Sequence, residues 1–185
     1  SNPMIVGSIA KKIIYFAFPL FLGNLFQQLY NTADSLIVGN FLGSSALAAV
    51  ASSGNLIFLL VGFFNGLSVG AGVVIARFFG AHDHRRVRLS IHTTVALGII
   101  CGLVLTGVGV IFAPKILVLM GTPQDVLPDS IIYFRIYFMG SLAFVLYNAF
   151  TGILQALGDS KHPLYYLIVS SVINVVLDIV LITVF

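Results

Sequence analysis

Two aspartates lie inside long apolar stretches of the chain, where a charge is least expected. Asp34 lies within residues 13–38 and Asp178 within residues 164–185. Asn174 precedes Asp178 by four residues, so a helix would place the amide and the carboxylate one turn apart on the same face. Neighbouring carboxylates can share a proton or coordinate a cation together with an amide oxygen. The pattern therefore predicts an ion site formed by two helices.

Other polar side chains accompany these residues at helical spacing. One face of the first apolar stretch carries Asn24, Gln27, Gln28, Asn31 and Ser35, with Asp34 at its edge. A face of residues 130–157 carries Tyr137, Ser141, Asn148, Thr151 and Gln155. Neutral side chains of this kind commonly form hydrogen bonds between membrane helices, and we assign most of them that role. A buried carboxylate is costly in a bilayer, so for the aspartates we favour a function.

The composition identifies the elements that must position these residues. Hydrophobic residues make up 59% of the 185 residues and charged residues 8%, far fewer charges than the roughly one quarter typical of soluble domains. Apolar runs longer than about 18 residues recur along the chain, as a bilayer requires. Continuous runs exclude the short alternating strands of a barrel. We predict an all-α, polytopic transmembrane bundle.

Polar interruptions divide the chain into five predicted spans. They cover residues 13–38, 47–76, 89–112, 130–157 and 164–185. Residues 1–3 precede Met4 and are interpreted as an expression remnant, which leaves residues 4–185 as the transmembrane domain. We expect this domain to be truncated before a sixth helix.

Basic residues predict the orientation, because cytoplasmic loops hold the positive excess. One side of the predicted bundle collects Lys11, Lys12, Arg77, Arg85, Arg86, Arg88 and Lys161. The other side has only Lys115, beside Asp125 and Asp129. We therefore place the N-terminus in the cytoplasm. Two further expectations are that the membrane is the plasma membrane and that the cell is bacterial.

Several classes of function are disfavoured. The four histidines lie in or beside the cytoplasmic connectors, away from the aspartates, so an intramembrane enzyme lacks a site. His82 and His84 flank Asp83 in a basic loop, where solvation is a better explanation than a metal site. The basic run 77–88 fits a topology signal next to anionic lipid better than a nucleic-acid surface. We expect no nucleic acid partner, no bound metal and no covalent cofactor.

Several segments together resemble one transporter family, the multidrug and toxic compound extrusion (MATE) family. The first helix and the loop after it contribute PLFLGNLFQQLYNTADSLIVG at residues 19–39 and GSSALAAV at residues 43–50. Later segments contribute RFFGA at residues 77–81, ILQALGDSKHP at residues 153–163 and NVVLD at residues 174–178. Their order and spacing resemble those of the family's N-terminal lobe across nearly the whole chain.

The resemblance implies a twelve-helix antiporter made of two six-helix lobes. Such a protein exports organic cations, drugs or toxic metabolites while protons or sodium ions flow inward. In this interpretation Asp34, Asn174 and Asp178 form the ion-coupling site. Pro19 matches the proline associated with bending of the first helix. A tyrosine of the fourth helix joins the site, and both Tyr133 and Tyr137 fit that place, while Gln27 and Asn31 are further candidates for the cavity.

The resemblance also implies partners and leaves alternatives open. The expected partners are a small, cationic organic substrate, membrane lipid and the missing C-terminal lobe of the same transporter. A lipid-linked oligosaccharide flippase of related architecture is the main alternative, although mostly acidic deep charges suit cations better than a pyrophosphate. A truncated membrane fragment without transport activity is another. Neither the substrate nor the coupling ion follows from the sequence.

Overall fold

The structure, a computed structural model, describes residues 8–41 and 43–184. Within that part the chain is helical and contains no β-strand. The helices are α1 (Ile9–Phe41), α2 (Gly43–Gly80), α3 (His84–Leu119), α4 (Leu127–Met139), α5 (Ser141–Ala156) and α6 (Lys161–Val184). The predicted all-α class is confirmed. The predicted expression remnant, residues 1–3, and the last residue of the predicted fifth span lie outside the described residues.

Four of the described helices are long and apolar enough to cross a membrane. These segments are Ile9–Ile37, Leu56–Gly80, His84–Leu119 and Lys161–Leu181. A fifth crossing requires α4 and α5 together, which are bent by 45° where they meet. The predicted span 130–157 is therefore a broken pair and not one continuous helix.

The break between α4 and α5 lies at Gly140 and is held by hydrogen bonds to α3. The Ser141 hydroxyl donates to the Gly102 carbonyl at 3.3 Å and lies 2.9 Å from the Thr106 hydroxyl oxygen. These bonds fix the start of α5 against a neighbouring helix, directly after a residue with little helix propensity. A hydropathy pattern does not register this bend, because apolar residues continue on both sides of it.

The start of α3 extends beyond the predicted span 89–112 because Asp83 caps it. The Asp83 Oδ1 atom accepts a hydrogen bond from the Arg86 amide at 3.0 Å. Its Oδ2 atom lies 3.3 Å from Arg86 Nε, and the Arg86 guanidinium lies over the Phe78 ring. A capped polar turn continues the helix outside the apolar part. Asp83 therefore has a structural role as the N-cap of α3.

The described chain forms two compact units. One contains α1 and α6, and the other contains α2, α3, α4 and most of α5. In the larger unit, Ala113 and Leu117 of α3 are buried against Phe134 and Phe138 of α4, whose rings stack 4.4 Å apart. This cluster is the core of that unit.

Arg135, a charge near one end of a predicted span, has a structural contact in the larger unit. Its Nε atom donates to the Val110 carbonyl at 3.2 Å. Pro114 lies four residues after Val110 within α3 and has no N–H to donate to that carbonyl. The guanidinium therefore supplies the hydrogen bond that the proline removes.

We expect Arg135→Met to lower the free energy of unfolding by about 1 kcal/mol, the typical cost of losing a hydrogen bond to a charged donor that is partly exposed. In a Pro114→Ala background the same change should cost much less, because that substitution restores a backbone N–H that can donate to the Val110 carbonyl. Thermal unfolding in detergent measures both, with Arg88→Met as the control for loss of an exposed arginine. Equal costs in the two backgrounds would contradict this role.

Candidate ion site

The two helices that carry the aspartates run in the same direction within the smaller unit. Near their starts, Lys161 Nζ lies 3.3 Å from the Tyr15 hydroxyl oxygen. Further along, a Cβ on Gly23 would lie 3.7 Å from the Leu167 side chain. The carboxyl groups of Asp34 and Asp178 meet last, within hydrogen-bonding reach of each other. Because these contacts follow the same order along α1 and α6, the two helices are parallel.

The facing sides of α1 and α6 are recognisable from partial burial at spacings of three and four residues. On α1 the half-buried positions include Phe16, Leu20, Gly23, Gln27, Tyr30 and Asp34. On α6 they include Leu164, Leu167, Ser171, Asn174 and Asp178. This is the pattern of two helices that pack side by side along their length. The aspartates end an otherwise mostly apolar seam.

The polar side chains at the end of this seam offer more hydrogen-bond acceptors than donors. Asn174 Oδ1 and Asp178 Oδ2 are buried and have no hydrogen-bond partner among the described residues. Two carboxylates this close repel each other unless a proton or a cation lies between them. We define Asp34, Asn174 and Asp178 as the candidate ion site. Its three side chains can bind a proton or a hard cation such as sodium, for which oxygen ligands are suited.

The other predicted residues occupy different positions. Gln27 lies on the seam two turns before Asp34, whereas Asn31 is exposed in the smaller unit and lies off the seam. Pro19 is buried within α1 and denies the Tyr15 carbonyl its usual hydrogen bond. Tyr133 and Tyr137 belong to α4 in the larger unit, with ring centroids 6.4 Å apart.

Sequence reasoning missed a cluster at the start of α6. Asp159 Oδ1 accepts hydrogen bonds from the backbone amides of Lys161 and His162, and Asp159 Oδ2 contacts the His162 ring. The signal was available, because aspartate is favoured at the N-terminal end of a helix, where its carboxylate accepts from free backbone amides. Within the described residues no three His, Cys, Asp or Glu side chains form a group that could hold a metal ion.

Comparison with known proteins gives one consistent family. The MatE family model matches residues 19–180. The chain is 40% identical over 175 residues to the "Probable multidrug resistance protein YoeA" of Bacillus subtilis (strain 168), covering 95% of the chain and 38% of that protein. It is 32% identical to the "Probable multidrug resistance protein YpnP" of the same organism, covering 97% of the chain and 40% of that protein.

Solved structures show the same fold. An outward-facing multidrug resistance MATE family transporter matches with a TM-score of 0.89 at 27% identity, over 97% of this chain and 40% of its own. A MATE crystal structure in the bent conformation matches with a TM-score of 0.86 at 29% identity, over 94% and 39%. This chain thus spans about two fifths of the length of the proteins it matches. The family model, the curated relatives and the solved structures agree, and the chain belongs to the MATE family of membrane transporters.

Proposed function

We propose that these residues are the N-terminal part of a cation-coupled antiporter that exports organic cations, drugs or toxic metabolites. The observation that carries the proposal is the candidate ion site. Two carboxyl groups meet between parallel helices, beside buried acceptors for which the described residues supply no donor. Such a site gains most from binding a proton or a sodium ion. The names of curated relatives include multidrug resistance and multidrug export, which supports drugs as part of this substrate class.

Exchange follows if ion and substrate favour different states of one cavity. A loaded site carries one negative charge fewer than an empty site, so the empty site attracts a cationic substrate more strongly. Each ligand then shifts the population toward the state that releases the other. Pro19 supports a moving α1, because the hydrogen bond it removes lowers the cost of bending. Solved MATE structures described as bent and straight match this chain equally well, with TM-scores of 0.86 and 0.85.

The test is export by the full-length reading frame that contains this chain. Expressed in bacteria without their own drug exporters, it should lower the accumulation of a cationic dye such as ethidium. Collapse of the proton gradient and removal of sodium, done separately, identify the coupling ion. Dye accumulation equal to that of cells carrying the empty vector, despite protein in the membrane, would refute the proposal.

The orientation of the chain is part of the proposal. The basic residues collected on one predicted side support a cytoplasmic location for that side and for the N-terminus. In a Cys101→Ala background of the full-length protein, we expect Asp125→Cys to react with an impermeant maleimide added to intact cells. Arg85→Cys should react only after the membrane is opened. The reverse pattern would invert the topology.

A further inference from the structure

The starts of α1 and α6 line a cavity of about 590 Å³ in the smaller unit, remote along the seam from the candidate ion site. Its size is within the range of small-molecule sites, about 300 to 1,000 Å³. We call it the cationic pocket. It is lined by Lys11, Lys12, Tyr15, Phe16, Leu157, Gly158, Asp159, Ser160 and Lys161.

A tight turn between α5 and α6 forms one wall of the cationic pocket. Gly158 adopts a φ of 87°, a left-handed conformation that suits glycine. The Gly158 amide donates to the Gln155 carbonyl at 3.0 Å and the Asp159 amide to the Leu154 carbonyl at 2.9 Å. This pair of bonds is a Schellman motif, which closes α5 and leads directly into α6.

Asp159 is the one carboxylate among the described residues that line the pocket, and its oxygens are occupied. Burial alone would raise its pKa, but hydrogen bonds from the His162 amide and ring and from the Lys161 amide hold the pKa below its ordinary value. The carboxylate is therefore ionised at neutral pH and serves the first turn of α6. Its negative charge is directed to that turn and to His162.

Two lysines of the pocket, Lys11 and Lys161, keep their charge available. The Lys161 ammonium donates to the Tyr15 hydroxyl oxygen and lies 4.8 Å from the centroid of that ring. Within the described residues, neither Lys11 nor Lys161 forms an ion pair with a carboxylate. Because the Tyr15 oxygen accepts from Lys161, its own O–H remains a donor for a ligand.

Ser160 supplies a further donor to the pocket. The residue is only 5% exposed and lines the pocket, and its hydroxyl forms no hydrogen bond within residues 8–41 and 43–184. Its oxygen is not fully enclosed by protein, so the hydroxyl is open to the pocket and can donate to a ligand there. A hydroxyl donor, a phenol donor and ammonium groups around one space suit a phosphate group, because hydrogen bonds from charged donors to phosphate are strong.

We propose that the cationic pocket binds the phosphate group of an anionic membrane lipid. Both helices that form it begin a candidate membrane span here, at Ile9 and at Lys161, so the pocket lies at the depth where headgroups lie. Phe16 and Leu157 add apolar surface for the acyl side of such a ligand. A soluble phosphate ester offers the same phosphate chemistry without an acyl chain.

The test uses the full-length protein in detergent, with bound lipid counted by native mass spectrometry. Phosphatidylglycerol should be retained in preference to phosphatidylcholine. Lys161→Gln should lower its apparent affinity about fivefold, the effect of one lysine near an anionic surface. Ser160→Ala should cause a smaller loss. Lys161→Arg keeps the charge and should keep the lipid, and Lys115→Gln is the control for a lysine in the other unit.

Three outcomes decide the proposal. Loss of phosphatidylglycerol in Lys161→Gln and Ser160→Ala, with retention in Lys161→Arg and Lys115→Gln, supports it. Retention in Lys161→Gln and Ser160→Ala equal to that in Lys115→Gln overturns it. Thermal stabilisation by inorganic phosphate alone, without preference between the two lipids, assigns the pocket to soluble phosphate and overturns the lipid as its ligand.

Discussion

Asp178→Asn in the full-length transporter is expected to reduce ion-driven efflux of a cationic dye by about tenfold or more, the scale of coupling between ligand sites. The asparagine amide keeps the shape of the carboxyl group but carries no charge and takes up no proton in this range. With only one carboxyl group left, ion binding no longer relieves repulsion between two carboxylates, so the affinity for the coupling ion and the difference between loaded and empty forms both fall. Asp34→Asn should have the same effect, because its carboxyl group lies within hydrogen-bonding reach of Asp178.

The same substitutions should leave the protein at least as stable as before. An amide at position 178 can donate to the Asp34 carboxylate, and one of the two repelling charges is gone. Loss of efflux with an unchanged or higher melting temperature is the signature of a site that carries strain for function. A merely structural aspartate would instead lose stability and activity together. Fluorescence efflux assays and thermal unfolding of the same preparations measure the two quantities.

Asp125→Asn provides the matched control, because Asp125 is an exposed aspartate in the turn before α4. It should leave dye efflux unchanged at equal surface expression. Normal ion-driven efflux in both Asp34→Asn and Asp178→Asn would remove the two aspartates from the mechanism. They would then be a shared-proton contact that holds α1 against α6.

The seam between α1 and α6 shows what the sequence could predict about the site. Asn174 and Asp178 share a face by spacing alone, and the positions of the basic residues already gave α1 and α6 the same direction. Together these inferences predicted that Asp34 and Asp178 lie at a similar depth in the membrane. Which polar residues of α1 face α6 was not predictable, because Gln27 and Asn31 are both polar. Only the position of α6 places one on the seam and leaves the other exposed.

The bends and helix ends show where sequence patterns fail. Gly140 and Ser141 look like ordinary members of an apolar span, and the bend there depends on hydroxyl bonds to Gly102 and Thr106 in another helix. Arg135 is a charge near one end of a predicted span, and its sequence position does not indicate a structural contact. Its contact with Val110 depends on Pro114, which is 21 positions earlier in the sequence. It also depends on the packing of α3 against α4, which the sequence pattern does not predict.

The glycines of α3 predict the largest effect on folding. A Cβ on Gly109 would overlap the Phe138 ring, and stacking on Phe134 restrains that ring. A Cβ on Gly107, two residues earlier, would meet nothing within 4 Å among the described residues. Both substitutions by alanine gain the same helix propensity, up to about 1 kcal/mol. Their difference therefore reports packing alone.

We expect Gly109→Ala to lower the free energy of unfolding by about 2 kcal/mol, since overpacking a tight contact costs about 1 to 3 kcal/mol. Gly107→Ala should be neutral or stabilising. Adding Phe138→Ala to Gly109→Ala should cost less than Phe138→Ala does alone, because the new methyl group occupies part of the space that the ring leaves. Thermal unfolding in detergent compares the four proteins. Equal melting temperatures for Gly109→Ala and Gly107→Ala would show that α3 and α4 can separate slightly at no cost, and the tight core would then not fix the geometry of the larger unit.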